Sequence, residues 1–201
     1  MSLTPVAPDQ IATIVTALEM LKRPLPRPLP VSPLKLALWD KPAPDKYRAL
    51  FSRIGAPWLW FSRLVLDDAA LSTIIHDKAV RIWAVLDRQG LEVGMLELDF
   101  RIAAQCEIGY FGFVPELAGK GLGGWLMAHA LANAWRKDMN RVWVHTCTLD
   151  HPSALGFYRR HGFIPYERAV ETFADPRLGG LLPLDAAAHI PILAPAGRTA
   201  S

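Results

Sequence analysis

Between Ala118 and Leu126 the chain reads AGKGLGGWL, with four glycines between Gly119 and Gly124 and a helical apolar spacing directly after them. Glycine takes positive φ without a Cβ penalty, so a loop this rich in it can turn several backbone amides toward one point. A helix that starts there adds the positive end of its dipole. The stretch therefore predicts a strand–loop–helix unit with an anion site at the turn. Gly119, Gly121 and Gly124 also satisfy G-x-G-x-x-G. That fingerprint needs its first glycine at the strand end and an acidic residue at the next strand's end, about 20 residues on. Here Pro115 to Ala118 intervenes, Asp138 falls at a helix end, and Asp150 lies too far on. A Walker loop is excluded as well, because its lysine follows the second glycine and precedes Ser or Thr, whereas Lys120 precedes Gly121. What remains is a phosphate-bearing ligand on the amides of Gly119, Lys120, Gly121, Leu122, Gly123 and Gly124.

The flanking segments supply the frame. Ala79–Asp87 and Leu91–Arg101 are apolar runs split by a glycine turn, the pattern of an antiparallel hairpin, and Cys106–Val114 continues it. Leu122–Asp138 has helical spacing, Val142–Thr148 reads as a strand, Pro152–His161 as a short helix, and Phe163–Thr172 as a last strand. The helical crossover makes the strand ending at Val114 and the strand ending near Thr148 parallel. Upstream, the β-branched run of residues 11–20, followed by prolines, predicts an edge strand. Alternating prolines from Pro24 to Pro30 predict a stiff extended loop rather than a peptide ligand for another protein. Asp45–Arg53 predicts a helix with Tyr47, Leu50, Phe51 and Ile54 on one side, and the segment from Asp67 a second short helix. Trp58 and Trp60 alternate as if across a strand, where one of them is able to line a ligand pocket. The tail from Ala174 has no strong pattern.

With 201 residues, 51% hydrophobic, the chain suffices for one domain with a substantial core. Residues 1–78 then form an acceptor-side segment, 79–173 the ligand-binding core and 174–201 a tail. A net charge of +3 with scattered Lys and Arg suits a small anionic ligand and speaks against nucleic acid. No run reaches the apolar length of a membrane span, and the opening residues lack the pattern of an export signal. Two cysteines, Cys106 and Cys147, have no metal-type spacing, and so few thiols agree with a reducing, cytoplasmic setting. No metal is expected.

EIGYFGFVPELAGKGLGGWLM, followed downstream by HPSALGFYRRHGF, resembles the two acyl-CoA-binding motifs of the GNAT superfamily of N-acyltransferases. The likeness covers about Val80 to Glu171. It implies an α/β fold with a central mixed, mostly antiparallel twisted sheet flanked by helices. A splayed parallel strand pair would receive acetyl-CoA as cosubstrate. It further implies coenzyme contacts from Phe113, Val114, the loop Gly119–Gly124, His151 and Ser153. Glu107 matches the family's common position for the base that deprotonates the amine, with Glu97 in reserve, although a solvent-facing glutamate in an alternating strand fits Glu107 as well. Tyr158 matches the acid that protonates the departing thiolate. The acceptor would be the amine of a small molecule or of a protein, and a homodimer is possible. Two rival classes stay open: a non-catalytic acyl-CoA-binding module of the same fold, and a dinucleotide oxidoreductase. A covalent route through Cys147, on the same strand face as His145 and near Asp150, lacks an orienting constellation.

Overall fold

The computed structural model describes residues 2–25 and 28–193. Pro26 and Arg27 of the proline tract and residues 194–201 of the tail lie outside the described residues. Seven strands form one sheet: β1 (Gln10–Met20), β2 (Lys35–Trp39), β3 (Val80–Leu86), β4 (Glu92–Asp99), β5 (Gln105–Phe113), β6 (Arg141–Cys147) and β7 (Ile164–Ala174). Their order is β2-β3-β4-β5-β6-β1-β7, and every neighbouring pair is antiparallel except β5 and β6. This is the mixed sheet with one parallel pair that the motif order implied. Four helices flank it: α1 (Pro44–Gly55), α2 (Asp68–Ile75), α3 (Gly123–Ala134) and α4 (Ala154–Arg160).

Local chemistry sets most boundaries. Proline at the first turn of α1 gives up only an amide that has no helical partner, and Asp67 caps α2 by accepting from the Ala70 amide at 2.7 Å. Tyr47, Leu50, Phe51 and Ile54 recur at helical spacing and are buried where α1 lies over β4 and β5. The last helix boundary of the glycine unit comes early. α3 stops at Ala134, not Asp138, because Trp135 leaves helical geometry and buries its ring.

Two expectations are corrected, and one strand is added that the sequence reading did not assign. The first strand is not at an edge: β1 pairs with β6 on one side and β7 on the other. The prolines begin only at Pro24, beyond Met20, so every residue of β1 keeps the donor that two-sided pairing needs. β7 is the edge strand instead. Trp58 and Trp60 do not share a strand, since Ala56–Trp58 is a 3-10 turn and Leu59 takes φ of 54°. Finally, β2 at Lys35–Trp39 follows a segment read only as loop.

The opening that matters is made by β5. Its pairing with β6 spans only Gln105↔Arg141, Cys106↔Val142 and Glu107↔Trp143. Immediately beyond, the register against β4 jumps from Leu98↔Ile108 to Glu97↔Tyr110, which leaves Gly109 as an extra residue. An extra residue bends its strand. β5 diverges from β6 at the bulge, while β6 stays paired with β1 on its other edge, from Met20↔Val142 to Val15↔Cys147.

The main core, with Leu18, Leu96, Leu98, Ile108, Leu126 and Val142, fills both faces of the sheet. A smaller cluster joins Ile11, Leu59 and Leu149 to Leu182, Ala186 and Ala187, so that the patternless tail is in fact packed. Arg177, 2% exposed, clips it: the guanidinium pairs with Asp175 at 2.7 Å and donates to the carbonyls of Ala186 and Ile190. A buried ion pair holds well when its other donors are also satisfied, as here.

Candidate active site

A cleft of about 620 Å³ occupies the gap between β5 and β6. At one end lie Gly119 to Gly124. Gly119 and Gly121 have φ of 72° and 74°, the left-handed region that glycine enters freely. Among the described residues, the amides of Gly121, Leu122, Gly123 and Gly124 donate to no protein acceptor, whereas Lys120 donates to the Leu117 carbonyl at 3.4 Å. A Cβ placed at Gly121 or Gly124 would meet nothing within 4 Å, so the space over these amides is open. Unpaired amides at the start of a twelve-residue helix, facing a cleft, suit a phosphate group.

The middle of the cleft is bounded by β5. Val114 donates its amide to Val93 at 2.9 Å, so residues 114 and 112 turn their backbone groups toward β4. By the alternation of an antiparallel ladder, those of Phe111 and Phe113 turn the other way, into the gap that β6 has left. Phe113 therefore stands where the resemblance implied. Val114 does not: it is 4% exposed, lies off the cleft, and its amide and carbonyl serve Val93 and Leu117. Its predicted coenzyme contact is corrected on that ground. Phe111, not singled out in the sequence, lines the cleft beside Phe113.

His151, Ser153 and Tyr158 line the same cleft. The Ser153 amide donates to His151 Nδ1 at 3.2 Å, which makes that nitrogen an acceptor and leaves the ring proton on Nε2. Tyr158 on α4 is buried among Phe111, Phe157 and Phe163. Burial, with the charge of Asp150, pushes its pKa upward, so at neutral pH the hydroxyl keeps its proton and is a donor.

The two glutamates nominated as bases lie elsewhere. Glu107 does not line the cleft; its Oε1 sits 3.1 Å from Nδ1 of His145, which does. The hydrogen bond that His145 donates to this carboxylate is the main cause that raises the His145 pKa, with the charges of Glu107, Asp150 and Glu171 adding to it and burial opposing it. Glu97 is fully buried, bound to the Tyr47 hydroxyl at 2.6 Å and to Arg63 at 2.7 Å. Arg63 in turn stacks over Tyr110, whose hydroxyl meets Ser62 at 2.5 Å. Glu97 thus anchors the loop that bears Trp58, Trp60, Phe61 and Ser62 on the cleft wall. Burial pushes the Cys147 thiol upward and that of Cys106 to about 12, so both remain thiols.

Of the nominated residues, the structure brings Phe113, the glycine loop, His151, Ser153 and Tyr158 around one space and leaves Val114 and both glutamates outside it. The sequence did not single out Phe111, Asp150 or Glu171 on its walls. Only strand alternation offered a signal, by putting Phe111 on the same edge as Phe113. Among the described residues, no cluster of His, Cys, Asp or Glu is arranged for a metal ion, and no helix is long and apolar enough to cross a membrane.

Comparison with known proteins agrees with this geometry. Residues 78–165 match the family model of the acetyltransferase (GNAT) domain. Solved structures share the fold. A GCN5-related N-acetyltransferase from Sphaerobacter thermophilus superposes with a TM-score of 0.61 at 16% identity, over 81% of this chain and 51% of its own. A tandem GNAT protein from the clavulanic acid biosynthesis pathway gives 0.54 at 20%, over 82% and 53%. A mutant of the spermidine N-acetyltransferase from Vibrio cholerae gives 0.52 at 17%, over 72% and 95%. The chain spans about half the length of the first two. No curated sequence matches it. Residues 78–165 thus match a GNAT acetyltransferase domain, and the sheet with its single parallel pair has the fold of these structures.

Proposed function

We propose that the chain is an N-acetyltransferase that passes an acetyl group directly from acetyl-CoA to a primary amine. The observation behind this reading is the convergence, in one cleft, of unpaired loop amides, outward-turned backbone groups of β5 and a protonated tyrosine. Acetyl-CoA supplies an activated acetyl thioester and two anionic ends. The amides of Gly121 to Gly124 are free to receive its phosphates, and the β5 edge is free to hydrogen-bond its amide-bearing arm.

The chain's own groups have separable tasks. An amine attacks only after losing its proton, and His145 is the base on the cleft wall, with Glu107 behind it as a positioning residue. Backbone amides of Phe111 and Phe113 face the gap, where they are able to stabilise charge that develops on the thioester oxygen during attack. As the new C–N bond forms and the C–S bond breaks, Tyr158 gives its proton to the leaving sulfur, and the proton that the acylated nitrogen sheds passes to solvent, from which the tyrosine is reprotonated. The products are an N-acetyl amine and free CoA thiol.

The test has two parts. Acetyl-CoA should raise the melting temperature by mass action, while NAD and ATP at equal concentration should not. A panel of amines should then release free thiol from acetyl-CoA. Binding without turnover on any amine would favour an acyl-CoA-binding module instead, and a shift with NAD alone would sink the proposal.

A further inference from the structure

The cleft has a second end, and its chemistry bears on the acceptor; the inference rests on the acetyltransferase reading. Lys120, beside the glycine loop, is the one Lys or Arg on the cleft wall among the described residues. Away from the loop, the charged groups on the wall are the carboxylates of Asp150 and Glu171 and the His145 ring, whose positive charge when protonated is balanced by Glu107 behind it. Asp150 is held firmly: Oδ2 accepts from the Thr146 hydroxyl at 2.7 Å and the Cys147 amide at 2.9 Å, and Oδ1 from the Trp60 indole at 3.4 Å. All three donors are neutral, so they hold the carboxylate in place without supplying a counter-charge. Glu171 stands opposite Thr13 on β7 and forms no ion pair among the described residues.

Aromatic rings fill the wall between them. Trp58, Trp60, Phe61, Tyr110 and Phe173 line this end. Trp60 and Tyr110 lie 5.2 Å apart at 55°, and Phe61 and Phe173 4.8 Å apart. Ring faces attract cations, strip water from whatever enters, and offer an anion nothing in return. His145, beside Glu107, is positioned to take the proton once the cation has docked. We infer that the acceptor is a cationic amine with an apolar body and no carboxylate of its own, an aralkyl- or alkylamine rather than an amino acid.

Phenethylamine and phenylalanine differ only by the carboxylate, so the pair isolates the claim. Calorimetric titration of the full chain should give phenethylamine about tenfold tighter binding than phenylalanine, the size expected for one unpaired carboxylate facing others in a partly dry cleft. Glu171→Lys, on an exposed position of the edge strand, should shrink or reverse that ratio. Glu171→Gln should fall between. Equal or tighter binding of phenylalanine to the wild type, or no binding of either compound at millimolar concentration, overturns the inference. Acetyl-CoA is titrated separately. If it fails to bind while the amine preference holds, the acetyltransferase reading falls and the acceptor class stands; if it binds and phenylalanine is acetylated as fast as phenethylamine, the reverse is true.

Discussion

The two ends of the cleft recognise charge by different means. At the glycine loop the recognising groups are backbone amides, made available by residues with no side chain. At the end proposed for the acceptor they would be side chains from four separate parts of the fold: the loop of Trp58 and Trp60, β5, the turn after β6, and β7. A backbone receptor is encoded locally, and it survives any substitution that keeps the glycines. A side-chain receptor is assembled from distant segments, so its parts draw on second partners, as Asp150 does on Thr146 and as the loop of Trp60 does on the Glu97–Arg63 pair behind it.

If that contrast is right, damage at the two ends should separate cleanly. The largest effect is expected from Gly121→Asp, which puts a negative charge over the loop amides and a side chain at φ of 74°. Acetyl-CoA affinity should drop by at least about 100-fold, read as loss of its thermal shift, while amine binding stays. Gly121→Ala carries the backbone strain without the charge, and a loss as large as that of the aspartate would point to strain alone. Tyr158→Phe removes the donor and leaves the ring in its aromatic packing. Turnover should fall by about 10²-fold with coenzyme affinity within about twofold, and an unchanged kcat would exclude Tyr158 as the acid.

Glu107→Gln tests the link between β5 and β6 by its pH profile. The carboxylate raises the His145 pKa, and only the neutral ring takes a proton, so wild-type kcat/KM should rise with pH through a midpoint above the usual 6.5 or so. Without the charge the midpoint should move to lower pH and the plateau drop roughly three- to tenfold, as a weaker base works less well. Stability runs the opposite way with pH. A raised histidine pKa contributes stability that is full below about pH 6.5 and is lost as pH rises through the folded-state value. A profile with an unmoved midpoint would detach Glu107 from His145. The smallest effect is assigned to Gly55→Ala. Its Cβ would clash with the Trp60 Cβ, so Trp60 must move together with its backbone, and the KM for amine should rise severalfold with the acetyl-CoA constant unchanged.

How much of this was legible depends on how far each feature reaches along the chain. The hairpin of β3 and β4, helix α1 with its buried stripe, and the glycine loop are all specified within a few residues, by alternation, by helical spacing and by glycine at positive φ. Strand position was less readable. β1 was expected at an edge because prolines follow it, but proline bars pairing only where it stands, and Met20 ends the strand first. Trp58 and Trp60 mimic a strand's alternation over too short a span, and Leu59 at φ of 54° breaks it.

The candidate site divides along the same line. Amides able to bind phosphate, a tyrosine on the following short helix, and a parallel pair joined by a helix were all determined by contiguous sequence, since local backbone geometry depends on neighbouring residues. That Glu107 backs His145 instead of facing the cleft, that Val114 spends its amide on Val93, and that Glu97 is locked to Tyr47 and Arg63 were decided by the tertiary structure alone. Those facts hinge on the bulge at Gly109 and on where β5 leaves β6. Shifting a strand by one residue exchanges its two faces, and the register between segments far apart in sequence is set by how their side chains pack once the sheet has formed.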